Sequence, residues 1–391
     1  MVRSEAQLLR SHGVEVRELA FENERHGESC FGGMVRIALD SAWSRPSYRR
    51  VVEACEQFLP DVVHVHNFWM QLSPSVHAAS QIVGVPTVQT LHNFRLLCAN
   101  ALLYRDGAPC ADCIGKAPWR GVVRRCYRHS VLASAAVAAM TVVNRTRDTW
   151  ENEVNAFVAL SEHSRRQFAA GGLPVDRMFV KPNFVTDPGL PLAPSSSKIV
   201  FFGGRLSPEK GVDTLLSAWA QGCIGRYGRL LLAGDGPERP GLERAVASLG
   251  LASSVDFVGH RSPSDISDLI SNCRAVVVPS LCYENFPRMV VEAFAHGKPA
   301  IVSDIGALRE IVHTDTGIRF PPADNVAMAD ALGRILRNDR LADSLGDAAR
   351  AEYLNKYTPE RNFGQLMAVY RFATKGSCQF NGSYSAPAVS A

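Results

Sequence analysis

The stretch RAVVVPSLCYENFPRMVVEAFAHGKPAIVSD, residues 274–304, decides the fold. RAVVVPS (274–280) is an apolar run closed by a polar residue, the pattern of a strand buried on both faces of a parallel sheet. A helix is expected to begin near Pro287, since proline suits the first turn, and to end at Gly297, where a C-terminal cap falls. PAIVSD (299–304) then reads as a second buried strand. Strand, helix, strand is one parallel crossover unit, and ligands of such sheets collect at the carboxyl ends of the strands.

The same alternation runs outward in both directions. KIVFF (198–202), RLLLAG (229–234) and VDFVG (255–259) read as strands, with helical patterns at Val212 to Trp219, Gly241 to Leu249 and Pro263 to Ser271. Upstream, DVVHVH (61–66), VPTVQTLH (85–92), AFVALS (156–161) and MFVKPN (178–183) read as strands, with helices at Pro74 to Val83 and Glu162 to Ala170. Between the two sets, DPGLPLAPSSS (187–197) is rich in Pro and Ser, has no periodicity and reads as a linker. The expected class is α/β, with two Rossmann-like domains facing a cleft. Their bounds are 1–190 and 198–345, followed by helices over 346–375, which could pack on either domain, and a disordered tail at 376–391. The chain opens on an amphipathic helix pattern, Glu5 to His12, and its first strand-like run is Val14 to Leu19. The strand and Gly-rich turn that normally open a Rossmann unit are not found there, so the first domain is expected to lack its usual first strand.

Composition narrows the classes. The chain has 391 residues, 46% hydrophobic and 20% charged, an ordinary globular balance. A net charge of +4 calls for no nucleic acid. The N-terminus lacks the apolar run of a signal peptide, and Val131 to Val143, 13 residues, is too short to span a bilayer. A cytoplasmic protein is expected, with its ten cysteines mostly reduced.

Glu284 and Glu292 carry the sharpest chemical signal. One precedes the helix and the other lies within it, which at ~1.5 Å per residue separates the carboxylates by roughly 10–12 Å. A hydrolytic carboxylate pair needs ~5–9.5 Å. The wider spacing suits an extended ligand gripped at both ends, with an anionic centre on the helix N-terminus. FFGGRLSPEKG (201–211) adds Gly203 and Gly204, which let backbone approach a ligand, and the cations Arg205 and Lys210, which suit phosphate. Gly234 in LLLAGDGPE (230–238) either lines a nucleotide base or is a plain turn. Asp304, Gly306 and Glu310 lie at a further strand end, where surface capping is the alternative.

GGRLSPEKG, AGDGPE, FVGH and PSLCYENFPRMVVEAFAHGKP, with the spacing between them, resemble the family 4 retaining glycosyltransferases of the GT-B fold. The resemblance implies that Arg205 and Lys210 neutralise the donor diphosphate, that Glu284 contacts hydroxyls of the transferred sugar, and that Glu292 holds the ribose. It implies that His92, in TLHNF, is brought to the sugar and its phosphate. The donor would be a UDP- or GDP-sugar, the acceptor a glycan or lipid-linked glycan of surface polysaccharide assembly, and no metal or other cofactor would be required at the site. Where many members have glycines after the first Glu, this chain has Asn285, Phe286 and Pro287, with Phe286 in position to line the donor site. A truncated, non-catalytic sugar-nucleotide-binding protein and a sugar-nucleotide epimerase are the alternatives. A nicotinamide dehydrogenase is disfavoured, because GGRLSPEKG is not the G-x-G-x-x-G fingerprint.

Two features lie outside that core. Cys98, Cys110, Cys113 and Cys126 are spaced like a four-thiolate zinc knuckle, with reduced buried thiols as the alternative. KAPWRGVVRRCYR (116–128) interleaves five basic residues with Trp119 and Tyr127. It suits peripheral contact with an anionic membrane, at the inner face, or a lipid-pyrophosphate acceptor, against a plain solvated face. Asn67, Ser73, Asn93 and Arg95 follow strand ends and are candidates for acceptor contact.

Overall fold

The computed structural model describes residues 1–21, 40–69, 72–189 and 197–380, with side chains to 375. In the first half, β1 (Val63–Val65) and β2 (Thr87–Thr90) pair in parallel, and β3 (Tyr104–Arg105) and β4 (Ala108–Pro109) make a separate antiparallel hairpin. β5 (Ala156–Ala159) and β6 (Met178–Val180) complete a parallel sheet of order β1-β2-β5-β6. The second half holds β7 (Ile199–Gly203), β8 (Arg229–Ala233), β9 (Val255–Gly259), β10 (Ala275–Val278), β11 (Ala300–Ser303) and β12 (Gly317–Phe320). They form one parallel sheet of order β12-β11-β10-β7-β8-β9.

The strands are where apolar runs predict them, because burial on both faces leaves no room for polar alternation. β5, β10 and β11 are buried at every residue. Helices cover both faces of the second sheet. Leu215, Leu216 and Trp219 of Val212–Gln221 seat against Leu230 and Leu232, and Val290, Val291 and Phe294 of Arg288–Ala295 seat with Phe201 and Val276. The indole of Trp219 donates to Ser254 Oγ at 3.2 Å, so its one polar atom is satisfied in the core.

Three expectations are corrected. Val14 to Leu19 joins no sheet among the described residues; it is irregular chain, and its residues are largely exposed. β12 was not anticipated, since GIRF is short and carries a charged Arg319. The tail does not begin at 376, because the helix Pro359–Phe380 continues through it, and 381–391 lie outside the described residues. That helix lies on the first sheet, with Val369 and Ala373 packed on Val88, Ala156 and Val158. Residues 190–196 of the linker also lie outside the described residues.

The carboxyl-end loops of the second sheet are laced together through backbone. Gly204 N–H donates to Ala233 C=O at 3.0 Å, Leu206 N–H to Asp235 C=O at 3.0 Å, and Leu281 N–H to Glu209 C=O at 2.9 Å. Gly234 makes this approach feasible. Its φ of +124° is open to glycine, and a Cβ there would overlap the Gly204 carbonyl oxygen. Gly234→Ala should therefore destabilise this domain by at least ~1 kcal/mol. Trp219 is the domain's single tryptophan, so its fluorescence during urea unfolding measures the loss.

Candidate active site

Glu284 stands on the loop between β10 and the helix Arg288–Ala295, which Pro287 caps at its N-terminus. One carboxylate oxygen, Oε1, takes two short contacts, from Lys210 Nζ at 2.6 Å and from Ser280 Oγ at 2.6 Å. Burial opposes a charge on Lys210, but the Glu284 carboxylate outweighs it and holds the ammonium above its ordinary value. The structure thus joins two predicted residues that lie 74 positions apart. Arg205 sits on the same loop as Lys210, exposed, and its side chain makes no hydrogen bond or ion pair among the described residues. It is a charged group with free side-chain donors on the loop that carries one partner of a half-buried ion pair.

Glu292 lies within the helix, its side chain 20% exposed, and pairs with Arg288 Nε at 2.7 Å. Burial raises its pKa, with Arg288 pulling the other way. Gly203 faces the end of Met289, and Gly204 is a node of the backbone lacing. Gly234 serves the lacing as well, which favours its reading as a turn over a base contact. The Phe286 ring packs on Tyr357 and the surrounding apolar cluster, so its side chain contributes to the core.

His92 lies in the first domain, just after β2. Its Nε2 lies 2.9 Å from His66 Nδ1, and burial, then the neighbouring imidazole of His66, lower its pKa to about 4. The neutral ring is the form present near neutral pH. Asn285 and Glu310, which the sequence places at strand ends without partners, hold the domains together. Asn285 Nδ2 donates to Leu91 C=O at 2.6 Å, one residue before His92. Both oxygens of Glu310 accept backbone N–H groups, of Glu162 and His163 at 2.8 Å each, at the N-terminus of the helix Glu162–Ala170. Glu310 is therefore a cap, but for a helix of the other domain. No local pattern announces either contact, because each partner lies more than a hundred residues away.

The acceptor candidates fare unevenly. Ser73 is fully buried and bonded to Ser44 N–H and to Ser75, so it is a structural residue. Asn67 and Asn93 turn back on their own loops, accepting from Trp69 and Arg95 N–H, and the Arg95 guanidinium stacks on Trp69 and Tyr127. The four cysteines line one small cavity with Arg105, Arg120 and Arg124. Among the described residues, their sulfurs do not gather three within 4.8 Å; the only group of His, Cys, Asp and Glu donors that does is Glu5, His64 and His66. In 116–128, Trp119 is 60% and Val123 69% exposed, beside exposed Lys116, Arg124, Arg125 and Arg128. No helix among the described residues is long and apolar enough to cross a membrane.

The comparisons with known proteins divide at the linker. The model of the glycosyl transferase 4-like domain matches residues 1–183, and that of glycosyl transferases group 1 matches 190–352. Alpha-D-kanosaminyltransferase of Streptomyces kanamyceticus is 29% identical over 300 residues, 75% of this chain and 72% of the relative. Phosphatidyl-myo-inositol mannosyltransferase of Mycobacterium leprae is 31% identical over 239 residues, 58% of this chain and 62% of its own length. Sucrose-phosphate synthase of Thermosynechococcus elongatus superposes with a TM-score of 0.68 at 19% identity, covering 96% of this chain and 93% of that one. Anabaena HepE, solved with UDP, gives 0.63 at 20% identity, over 83% and 82%. With two parallel α/β domains whose strand ends carry the group 1 motifs, the chain belongs to the group 1 glycosyl transferases and has the GT-B fold.

Proposed function

We propose that this glycosyltransferase takes its sugar from a nucleoside diphosphate, transfers it with retention at the anomeric carbon to a glycan or lipid-linked acceptor in surface polysaccharide assembly, and needs no metal at the site. The observation that carries the reading is the Glu284–Lys210 pair with Arg205 on the same loop. In a sugar nucleotide the transferred sugar is bonded directly to the β-phosphate. A carboxylate for sugar hydroxyls and cations for the diphosphate therefore belong side by side, as here. Glu292, further along the helix, is set for the ribose. In the transfer, the C1–O bond to the β-phosphate breaks and its electrons leave with the diphosphate, where Arg205 and Lys210 offset the charge. The acceptor oxygen bonds to C1 on the same face, and its proton passes to the departing phosphate oxygen. UDP is the preferred nucleotide carrier, supported by the UDP-bound fold relatives such as Anabaena HepE and Staphylococcus aureus TarM.

Two further assignments complete the proposal. The exposed Trp119 and Val123 with their basic neighbours dock the first domain on an anionic membrane surface, where lipid-linked acceptors are held. Cys98, Cys110, Cys113 and Cys126 close on one structural zinc, drawn in from the walls of their shared cavity.

Arg205→Ala should lower the transfer rate by roughly 10²–10³, the size of one lost charge contact to a developing anion. Glu292→Gln should weaken UDP binding in titration calorimetry, and EDTA should leave the rate unchanged. A rate loss under threefold would place the diphosphate elsewhere, and a product of inverted anomeric configuration by NMR would end the retaining assignment.

Co-sedimentation should show binding to anionic vesicles that is released by salt, as the Debye length falls from ~10 Å at 0.1 M to ~3 Å at 1 M. Equal binding to neutral vesicles removes the electrostatic docking.

Elemental analysis of purified protein should find about one zinc per chain, lost in Cys110→Ser and Cys113→Ser. Folded protein free of zinc leaves four reduced thiols.

A further inference from the structure

Behind His92 lies a buried polar chain that the proposed transfer does not use. Glu5, on the first helix, is 4% exposed, and its Oε2 accepts from Lys181 Nζ at 2.8 Å. Lys181 is itself 1% exposed and is also held by Asn362 Oδ1 at 3.0 Å. The other oxygen, Oε1, is shut from solvent and has no well-aligned hydrogen bond. The ring nitrogens it meets are His64 Nδ1 and His66 Nε2, each at 3.3 Å. His64 is committed elsewhere, with Tyr370 OH at 2.8 Å on Nδ1 and Thr90 Oγ1 at 2.7 Å on Nε2. His66 offers its remaining nitrogen, Nδ1, to His92 Nε2 at 2.9 Å.

An ionised carboxylate only accepts, and that fixes the direction of the chain. Burial works against the Glu5 charge, yet contact with His66 and the charge of Lys181 keep its pKa well below the ordinary carboxylate value. A neutral His66 then carries its one proton on Nε2, toward Glu5. Its Nδ1 is left as a bare acceptor, so His92 must donate from Nε2. A neutral imidazole has one proton, so His92 Nδ1 is left with a lone pair and without a hydrogen-bond partner among the described residues.

We infer that Glu5 is a positioning residue: through His66 it holds His92 in the Nε2–H tautomer, so that His92 meets the donor sugar as a hydrogen-bond acceptor for one of its hydroxyls. The inference rests on the reading of His92 as a donor-sugar contact. It specifies that the transferred sugar bears a free hydroxyl facing that ring. A deoxy or methylated sugar at that position is discriminated against, because it has no proton to give. The same Glu5, His64 and His66 atoms lie at metal-ligand spacing. The Lys181 ammonium on Glu5 and the hydroxyls on both nitrogens of His64 favour hydrogen bonding over a cation. The charged or titratable groups that act on His92 are His66, Glu5, Lys181 and the Met1 amino group.

Glu5→Gln separates charge from shape. Lys181 claims the amide oxygen, the NH₂ then faces His66 Nε2, and every donor in the chain reverses. His92 becomes the Nδ1–H tautomer and loses its lone pair toward the sugar. On the full chain labelled with ¹⁵N-histidine, NMR should report Nε2–H at His92 in the native protein and Nδ1–H in Glu5→Gln, with UDP affinity unchanged. The extra affinity of UDP-glucose over UDP should fall about tenfold, the worth of one hydrogen bond. His66→Gln, which leaves the Glu5–Lys181 pair in place, is the second variant, and should leave His92 in a mixture of tautomers. An unaltered Nε2–H signature in both variants overturns the relay, as does a stoichiometric metal that Glu5→Gln removes. His92→Ala with the UDP-glucose preference intact would instead refute the sugar contact and leave the tautomer assignment standing.

Discussion

Parallel pairing is the constraint on which the rest of the molecule depends. Every strand of either large sheet runs the same way, so all the carboxyl-end loops of a sheet emerge along one edge. Each return journey must be made by a crossover on a face of the sheet, which buries the strands on both sides and makes them apolar throughout. Polar chemistry is thereby excluded from the strands and concentrated at their ends. Lys210 and Glu284 meet because β7 and β10 are adjacent in the sheet, although β8 and β9 intervene in sequence.

Much of this was legible in the sequence, for reasons that differ from element to element. RAVVVPS and PAIVSD could be read because a strand buried on both faces is a continuous apolar run, and the helix between them because Pro287 and Gly297 mark its ends. GIRF escaped because four residues with an arginine among them carry no such signal. The site was legible in its types of residue and not in its pairings. Lys210 and Glu284 were both identified, but their ion pair spans 74 positions and is set by sheet order. Ser73 looked like an acceptor contact because polar residues after strands usually reach solvent; here three serines bond one another in the interior.

Glu5 is a different case, one on which the sequence was silent. On an amphipathic helix a glutamate ordinarily takes the wet face, and only the placement of Lys181 and the imidazoles of His64 and His66 makes this one an interior residue. A buried carboxylate needs such a neighbourhood, since desolvation without compensation would neutralise it. That neighbourhood draws on the first helix, on β1, on the end of β6 and on the helix Pro359–Phe380, so no single stretch of sequence contains it.

The chain passes between the domains twice, once after β6 and once before Pro359, and the two passages run side by side. Val185 N–H donates to Tyr357 C=O at 3.2 Å, Tyr353 OH to Val185 C=O at 2.9 Å, and Asn362 Nδ2 to Pro182 C=O at 2.6 Å. A single tether would leave one body free to swivel, slide and tilt on the other. Two tethers laced together behave as a door hinge with two pins: they resist torsion and shear and leave one soft rotation. Glu310 and Asn285 latch onto the first domain at separate points, so such a rotation works against their hydrogen bonds. Paired tethers of this kind favour one angle of motion over the others.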